Sequence, residues 1–181
     1  MPRLQRLRLD HAPVLLEFER ENRDYFAASI PDRGDAYFAH FDARLDELLA
    51  EQAAGLCRFH VVVDDSGAVL GRVNLVDVAD GSAELGYRIA ERAAGRGVAT
   101  AAVREVFALA VSEYGLRTLR AVTTVDNAGS RAVLARTGFR PVGDIRLSGR
   151  PGIRFVRELR DIGEAASEGA SAVRGSVRRR G

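Results

Sequence analysis

Residues 94–100, Ala94-Gly95-Arg96-Gly97-Val98-Ala99-Thr100, place two glycines at the mouth of an apolar helical run, a spacing suited to holding a phosphate. Unpaired N–H groups of a first helical turn and the helix dipole concentrate positive potential there, and residues without side chains let anionic oxygens approach the backbone. Arg92 and Arg96 would add charge. The same glycines also serve a plain tight turn, and a short G-x-G alone does not choose between the two. A second polar pair follows in Asn127-Ala128-Gly129-Ser130: Asn127 has the residue type of a helix N-cap, and Ser130 falls where its groups can bond within the first turn. No convincing nucleophile accompanies them. Cys57 stands alone and alternates with Phe59 in an apolar strand, as a core thiol does, and His60 reads as structural.

Composition removes several classes of chemistry. All 27 basic residues among the 181 are arginine. With no lysine, Schiff-base catalysis by pyridoxal phosphate enzymes or lysine aldolases and the P-loop NTPase mechanism are excluded, since a guanidinium cannot replace the ammonium group. One cysteine rules out an internal disulfide framework and any Cys-rich metal site, and with only three histidines no structural metal is expected. The net charge is +2, and Arg174, Arg178, Arg179 and Arg180 against Glu164 and Glu168 account for it, leaving residues 1–162 neutral. A neutral body argues against nucleic acid as a partner. No apolar run reaches a bilayer span and the first residues lack a signal-peptide core, so the expectation is a cytoplasmic protein with no membrane partner.

The elements that must position these residues follow from periodicity. Residues 3–9 read as a first strand, Asp10 as the cap of a helix over 11–22, and Phe38, Phe41, Leu45 and Leu48 mark a second helix over 35–53. The Pro- and Gly-containing stretch between them reads as a loop that shapes a pocket mouth, with Arg23 and Arg33 favouring an acidic substrate. LCRFHVVV, AVLGRVNLVDV and AELGYRI, joined by tight turns, must be antiparallel neighbours. A long helix stopped by Gly115, the strand LRTLRAVTTV, the helix DNAGSRAVLART and a final strand pair complete an α/β (α+β) domain: a mixed, mostly antiparallel central sheet flanked by helices over residues 1–162. Residues 163–181, with little to bury, read as a disordered tail.

A Rossmann fingerprint fits poorly, because Thr100 stands where the third glycine belongs and hairpin strands precede the turn. Residues 94–99 instead resemble the Q/R-x-x-G-x-G/A pattern of GNAT acetyltransferases, with Ala94 in place of its Gln or Arg, Gly97 and Ala99 at its later fixed positions. Val125–Phe139 resembles the family's N-x-x-S…GF block, and with ELGYRI points to the RimJ/RimL-type branch. The resemblance spans about residues 3–160 and implies the GNAT fold and acetyl-CoA as co-substrate. It implies transfer of an acetyl group to a primary amine, with a protein N-terminus as the acceptor of that branch. A small-molecule acceptor and a non-catalytic acyl-CoA-binding module are the alternatives, and a homodimer is admitted.

The implied roles fall on particular residues. Gly95, Arg96, Gly97, Val98, Ala99 and Thr100, with Arg92, would hold the pyrophosphate, the backbone N–H groups near Ile89 and Ala90 would polarise the thioester carbonyl, and Asn127 would position the pantetheine. Ser130 would lie near the thioester sulfur as acid, with Glu84 or Glu91 as base. Direct attack needs a neutral amine, a polarised carbonyl and a proton for the leaving sulfur, and no covalent enzyme intermediate. On an alternating strand, Glu84 shares a face with Gly86 and Arg88, so it also reads as a plain solvent-facing carboxylate. Tyr87 reads as a packing residue whose hydroxyl could reach the cleft.

Overall fold

The computed structural model describes residues 1–159, so the tail expected over 163–181 lies outside the described residues. The chain opens with β1 (Arg3–Arg6) and runs through α1 (Ala12–Glu21), α2 (Arg23–Ala27), α3 (Asp35–Ala39) and α4 (Phe41–Ala53). The antiparallel strands β2 (Arg58–Val63), β3 (Val69–Ala79) and β4 (Ser82–Ile89) follow, then α5 (Val98–Ser112), β5 (Thr118–Thr124), α6 (Ala128–Arg136), β6 (Arg140–Leu147) and β7 (Arg150–Glu158). The seven strands form one sheet in the order β1-β2-β3-β4-β5-β7-β6, in which β4 and β5 run parallel.

Alternation in the strands divides the core in two. Phe59, Val61 and Val63 of β2 join Leu15, Phe18, Phe26, Phe41, Leu45 and Leu48 beneath α1–α4. Val73 and Leu75 of β3 with Ala83 and Leu85 of β4 face Val103, Val106 and Ala110 of α5 and Leu134 of α6. No helix among the described residues is long and apolar enough to cross a membrane.

Four local expectations are corrected. The first strand ends at Arg6, and Leu9 is exposed. Asp10 does not cap α1; its carboxylate accepts from Arg8 at 3.0 Å, and a 3-10 turn over Leu9–His11 leads into the helix, with Pro13 in the first turn where no N–H is missed. The second helix is broken at His40 into α3 and α4. The expected loop after α1 contains α2, whose Phe26 is buried against Phe18.

The feature that matters for function lies between β4 and β5. They pair only from Ser82 with Thr118 to Glu84 with Arg120, after which β5 stays with β7 as far as Thr124 opposite Gly152. From Leu85 onward β4 has β3 on one side and a gap on the other.

Candidate active site

Main-chain geometry decides what the gap offers. The Ala90 N–H donates to the Leu70 carbonyl at 2.8 Å, which makes Ala90 and Leu70 a hydrogen-bonded pair of the antiparallel β3–β4 register. Bonding alternates along such a pair, so Arg88 and Gly86 also bond towards β3, and the N–H groups of Ile89 and Tyr87 turn to the open side. Of the two amides expected to polarise a carbonyl, Ala90 is therefore already used and Ile89 is free to act.

Beyond β4 the chain makes a 3-10 turn over Glu91–Ala93 and reaches Gly95 and Gly97, at φ 72° and 77°. Only glycine takes the left-handed region at little cost, and a Cβ at either position would point into open space. Gly97 caps α5 without a side chain, so the first-turn donors get no capping acceptor. Among the described residues no acceptor meets the N–H of Gly95, Arg96, Gly97, Val98, Ala99 or Thr100. The turn thus presents a row of available donors at the positive end of a 15-residue helix, where the sequence leads one to expect an anion.

This turn opens on a cleft of about 480 Å³, lined by Ile89, Gly95, Gly97, Val98, Ala99, Thr100, Asn127 and Ser130. A second lobe of about 500 Å³ follows β5 and shares Gly86, Tyr87, Asn127 and Ser130 with the first. The two lobes meet where β4 and β5 part.

Asn127 is the N-cap of α6: its side-chain oxygen accepts from the Ser130 N–H at 3.0 Å. The cap fixes Ser130 at the junction of the lobes. There the Tyr87 hydroxyl lies 3.0 Å from Ser130 Oγ and 3.2 Å from the Ser130 carbonyl. Burial pushes the Tyr87 phenol up, so it stays protonated and is a standing donor. The partnership between Tyr87 and Ser130 was not readable beforehand, because β4 and α6 meet only in three dimensions.

Other expected residues stay outside. Arg92 turns back, donating to the Val69 carbonyl at 3.2 Å, and Arg96 is exposed; neither lines the cleft. Arg136, on the last turn of α6, lines it instead. Neither candidate base is brought in. Glu91 is exposed just after β4, and Glu84 sits where β4 is still zipped between Val76 of β3 and Arg120 of β5, below the gap. Arg23 is spent on Asp32, at 3.0 and 2.6 Å, and on Asp35, at 2.8 Å, so it offers no free charge to an acidic ligand. Cys57 is buried in the core and its thiol is pushed up by burial, which keeps it out of nucleophilic chemistry.

Comparison with known proteins follows this geometry. Residues 3–140 match the family model described as an acetyltransferase (GNAT) domain. YdaF of Bacillus subtilis (strain 168), provisionally named a ribosomal N-acetyltransferase, is 37% identical over 82 residues. Those residues are 44% of this chain and 45% of YdaF, less than half of that relative's length. The ribosomal-protein-S5-alanine acetyltransferase of Vibrio fischeri matches with a TM-score of 0.82 and 22% identity over 88% of this chain and 94% of that one. Mycobacterium smegmatis RimJ, solved in complex with CoA-disulfide, matches with a TM-score of 0.78 and 24% identity over 96% of this chain and 90% of that one. At these identities the two structures speak for the fold.

Proposed function

The chain belongs to the GNAT acetyltransferase family, and we propose that it transfers an acetyl group from acetyl-CoA to a primary amine by direct attack in a ternary complex. The observation that carries this reading is the row of donors without acceptors from Gly95 to Thr100, at the mouth of a cleft that runs along the open edge of β4. Bound acetyl-CoA would supply the thioester: the amine nitrogen bonds to its carbonyl carbon, the carbon–sulfur bond breaks, and the sulfur leaves with the electron pair.

Each residue of the chain then has a defined task. Gly95, Gly97, Val98, Ala99 and Thr100 hold phosphate oxygens by main-chain donors, and Arg136 adds the charge that Ala94 cannot supply. The outward N–H groups of Tyr87 and Ile89 pair with the pantetheine and polarise the carbonyl. Asn127 sets Ser130 in place through the cap, Ser130 Oγ–H donates the proton to the leaving sulfur, the Tyr87 hydroxyl passes Ser130 a replacement, and solvent in the cleft re-protonates Tyr87. The proton of the amine goes to solvent, because no carboxylate lines either lobe among the described residues. Assays of Glu84→Gln and Glu91→Gln decide that point: a loss of kcat/KM of about a hundredfold in either would restore it as the base.

The acceptor assigned is a protein N-terminus, a reading supported by the ribosomal N-acetyltransferase names carried by YdaF and the Vibrio fischeri protein. A cytoplasmic protein that assembles as a homodimer, with no role for nucleic acid or membrane, completes the proposal. Two measurements test its core. Saturating acetyl-CoA should raise the melting temperature, by linkage to the folded state, and an amine or peptide panel should release free CoA thiol. No shift with acetyl-CoA removes the reading; a shift without thiol release leaves only an acyl-CoA-binding module.

A further inference from the structure

The floor of the cleft opposite α6 has a charge balance of its own. Arg33, Arg72 and Arg88 line it, and no aspartate or glutamate does among the described residues. Behind it, Glu19 of α1 is 2% exposed, and its Oε1 accepts from Arg72 at 2.9 Å and from Arg88 at 3.0 Å. One carboxylate serves two guanidiniums, so the trio keeps a net positive charge next to the cavity. Arg33 adds another: its guanidinium lies 4.6 Å from the Tyr37 ring and has no carboxylate partner among the described residues.

Two polar atoms at the same place are buried without partners, Arg72 Nε and Asn74 Oδ1. An orphaned buried donor or acceptor is costly to the fold unless a partner meets it. The register places these atoms together. Arg72 is opposite Arg88 and Asn74 opposite Gly86, all with side-chain positions on the α1–α4 face of the sheet. Gly86 contributes no side chain, and the space a Cβ would fill is open. The result is a hollow over Gly86, bounded by an amide oxygen and by guanidiniums.

We propose that this hollow is the acceptor subsite, built for an amine with a carboxylate close to the reacting nitrogen. Arg33 and Arg88 donate to the carboxylate, and Asn74 Oδ1 accepts an N–H of the amine. The same positive charges lower the pKa of an incoming ammonium, which raises the fraction of neutral, attacking amine and removes the need for a carboxylate base in the lining. They also repel polycations. The inference rests on the acetyl-transfer reading above.

Initial rates of thiol release at saturating acetyl-CoA test it. The acceptors are the C-terminally amidated peptide Ser-Glu-Glu-Ala, its neutral isostere Ser-Gln-Gln-Ala, free L-glutamate and spermidine. An acidic acceptor should exceed the neutral peptide in kcat/KM by about tenfold, mainly through KM, as expected for a charge-assisted hydrogen bond. The ratio should shrink with added salt and collapse in Arg33→Gln, an exposed position whose change leaves the fold intact. Preference for the peptide assigns the carboxylate to an acidic N-terminus, and preference for glutamate assigns it to a free amino acid; both support the subsite. Equal rates with acidic and neutral peptides, or spermidine as the best acceptor, overturn it, while the thiol release itself keeps the transferase reading. Should no acceptor turn over, calorimetric titration of CoA-loaded protein decides: tighter binding of the acidic peptide than of its isostere supports the subsite, and equal or absent binding overturns it.

Discussion

Ser130 works as an acid only if its hydroxyl stays oriented and can be re-protonated, and two neighbours provide for this: Asn127 holds the main chain, and Tyr87 holds the oxygen. Removing the hydroxyl in Ser130→Ala should cut kcat by about a hundredfold, and Tyr87→Phe by about tenfold, the range of a positioned proton donor. Acetyl-CoA affinity, read from calorimetric titration, should barely move in either; unchanged kcat/KM in both would remove the acid from this serine. Gly97→Ala tests the other end of the cleft. At φ 77° a side chain costs about 1–2 kcal/mol of stability, and its methyl would enter the space a phosphate should occupy, so affinity should fall as well. Gly67→Ala, at φ 87° in the β2–β3 turn, is the control that should lose stability and keep affinity. At this scale the sequence was readable where local backbone dictates residue type, as in the two glycines and the Asn127 cap. Asn74, Gly86 and Arg136 carry no local signal, since their role arises only where three elements meet.

Glu19 ties α1 to the sheet. Its carboxylate, 2% exposed, is the counter-charge of both Arg72 on β3 and Arg88 on β4. Glu19→Gln leaves the buried Arg72 guanidinium and the partly buried Arg88 without an anion and should cost about 3 kcal/mol, read as a shift of the urea midpoint with an unchanged slope. Loss of less than about 1 kcal/mol would mean that water or a rearranged side chain takes over. Most elements were legible from local pattern: apolar runs between tight turns marked β2, β3 and β4, and the 3.6 period marked α4 and α5. α2 was not, because five residues carry too little periodicity to separate a helix from a loop. Nor was the parting of β4 from β5, a matter of long-range pairing on which the cleft depends.

At the scale of the whole molecule, the seven strands of the described residues form one sheet with a packed core on each face. A chain ending at Ile162 should therefore keep its melting temperature and its acetyl-CoA stabilisation, and a fall of more than a few degrees would assign a structural part to the terminal residues. The pH dependence of folding should centre on His60. It is 1% exposed; its Nδ1–H donates to the Val73 carbonyl at 3.1 Å, and its Nε2 accepts from the Tyr114 hydroxyl at 2.8 Å, so the ring is held neutral. Burial pushes its pKa down to about 4, against about 6.5 when unfolded. The unfolded chain thus binds the proton first. His60 contributes its full stability above pH 6.5 and loses it as the pH falls towards 4, by about 3 kcal/mol over that window. His11, also pushed down by burial, with Nδ1 accepting from the Arg8 N–H at 3.1 Å, works in the same direction. Urea titrations from pH 7 to 4 should show this decline, and in His60→Gln the slope should flatten. An identical slope in wild type and variant would remove His60 as its source, because carboxylates such as Asp126, held below the usual range by hydrogen bonds from Thr124 and Arg150, act only at still lower pH.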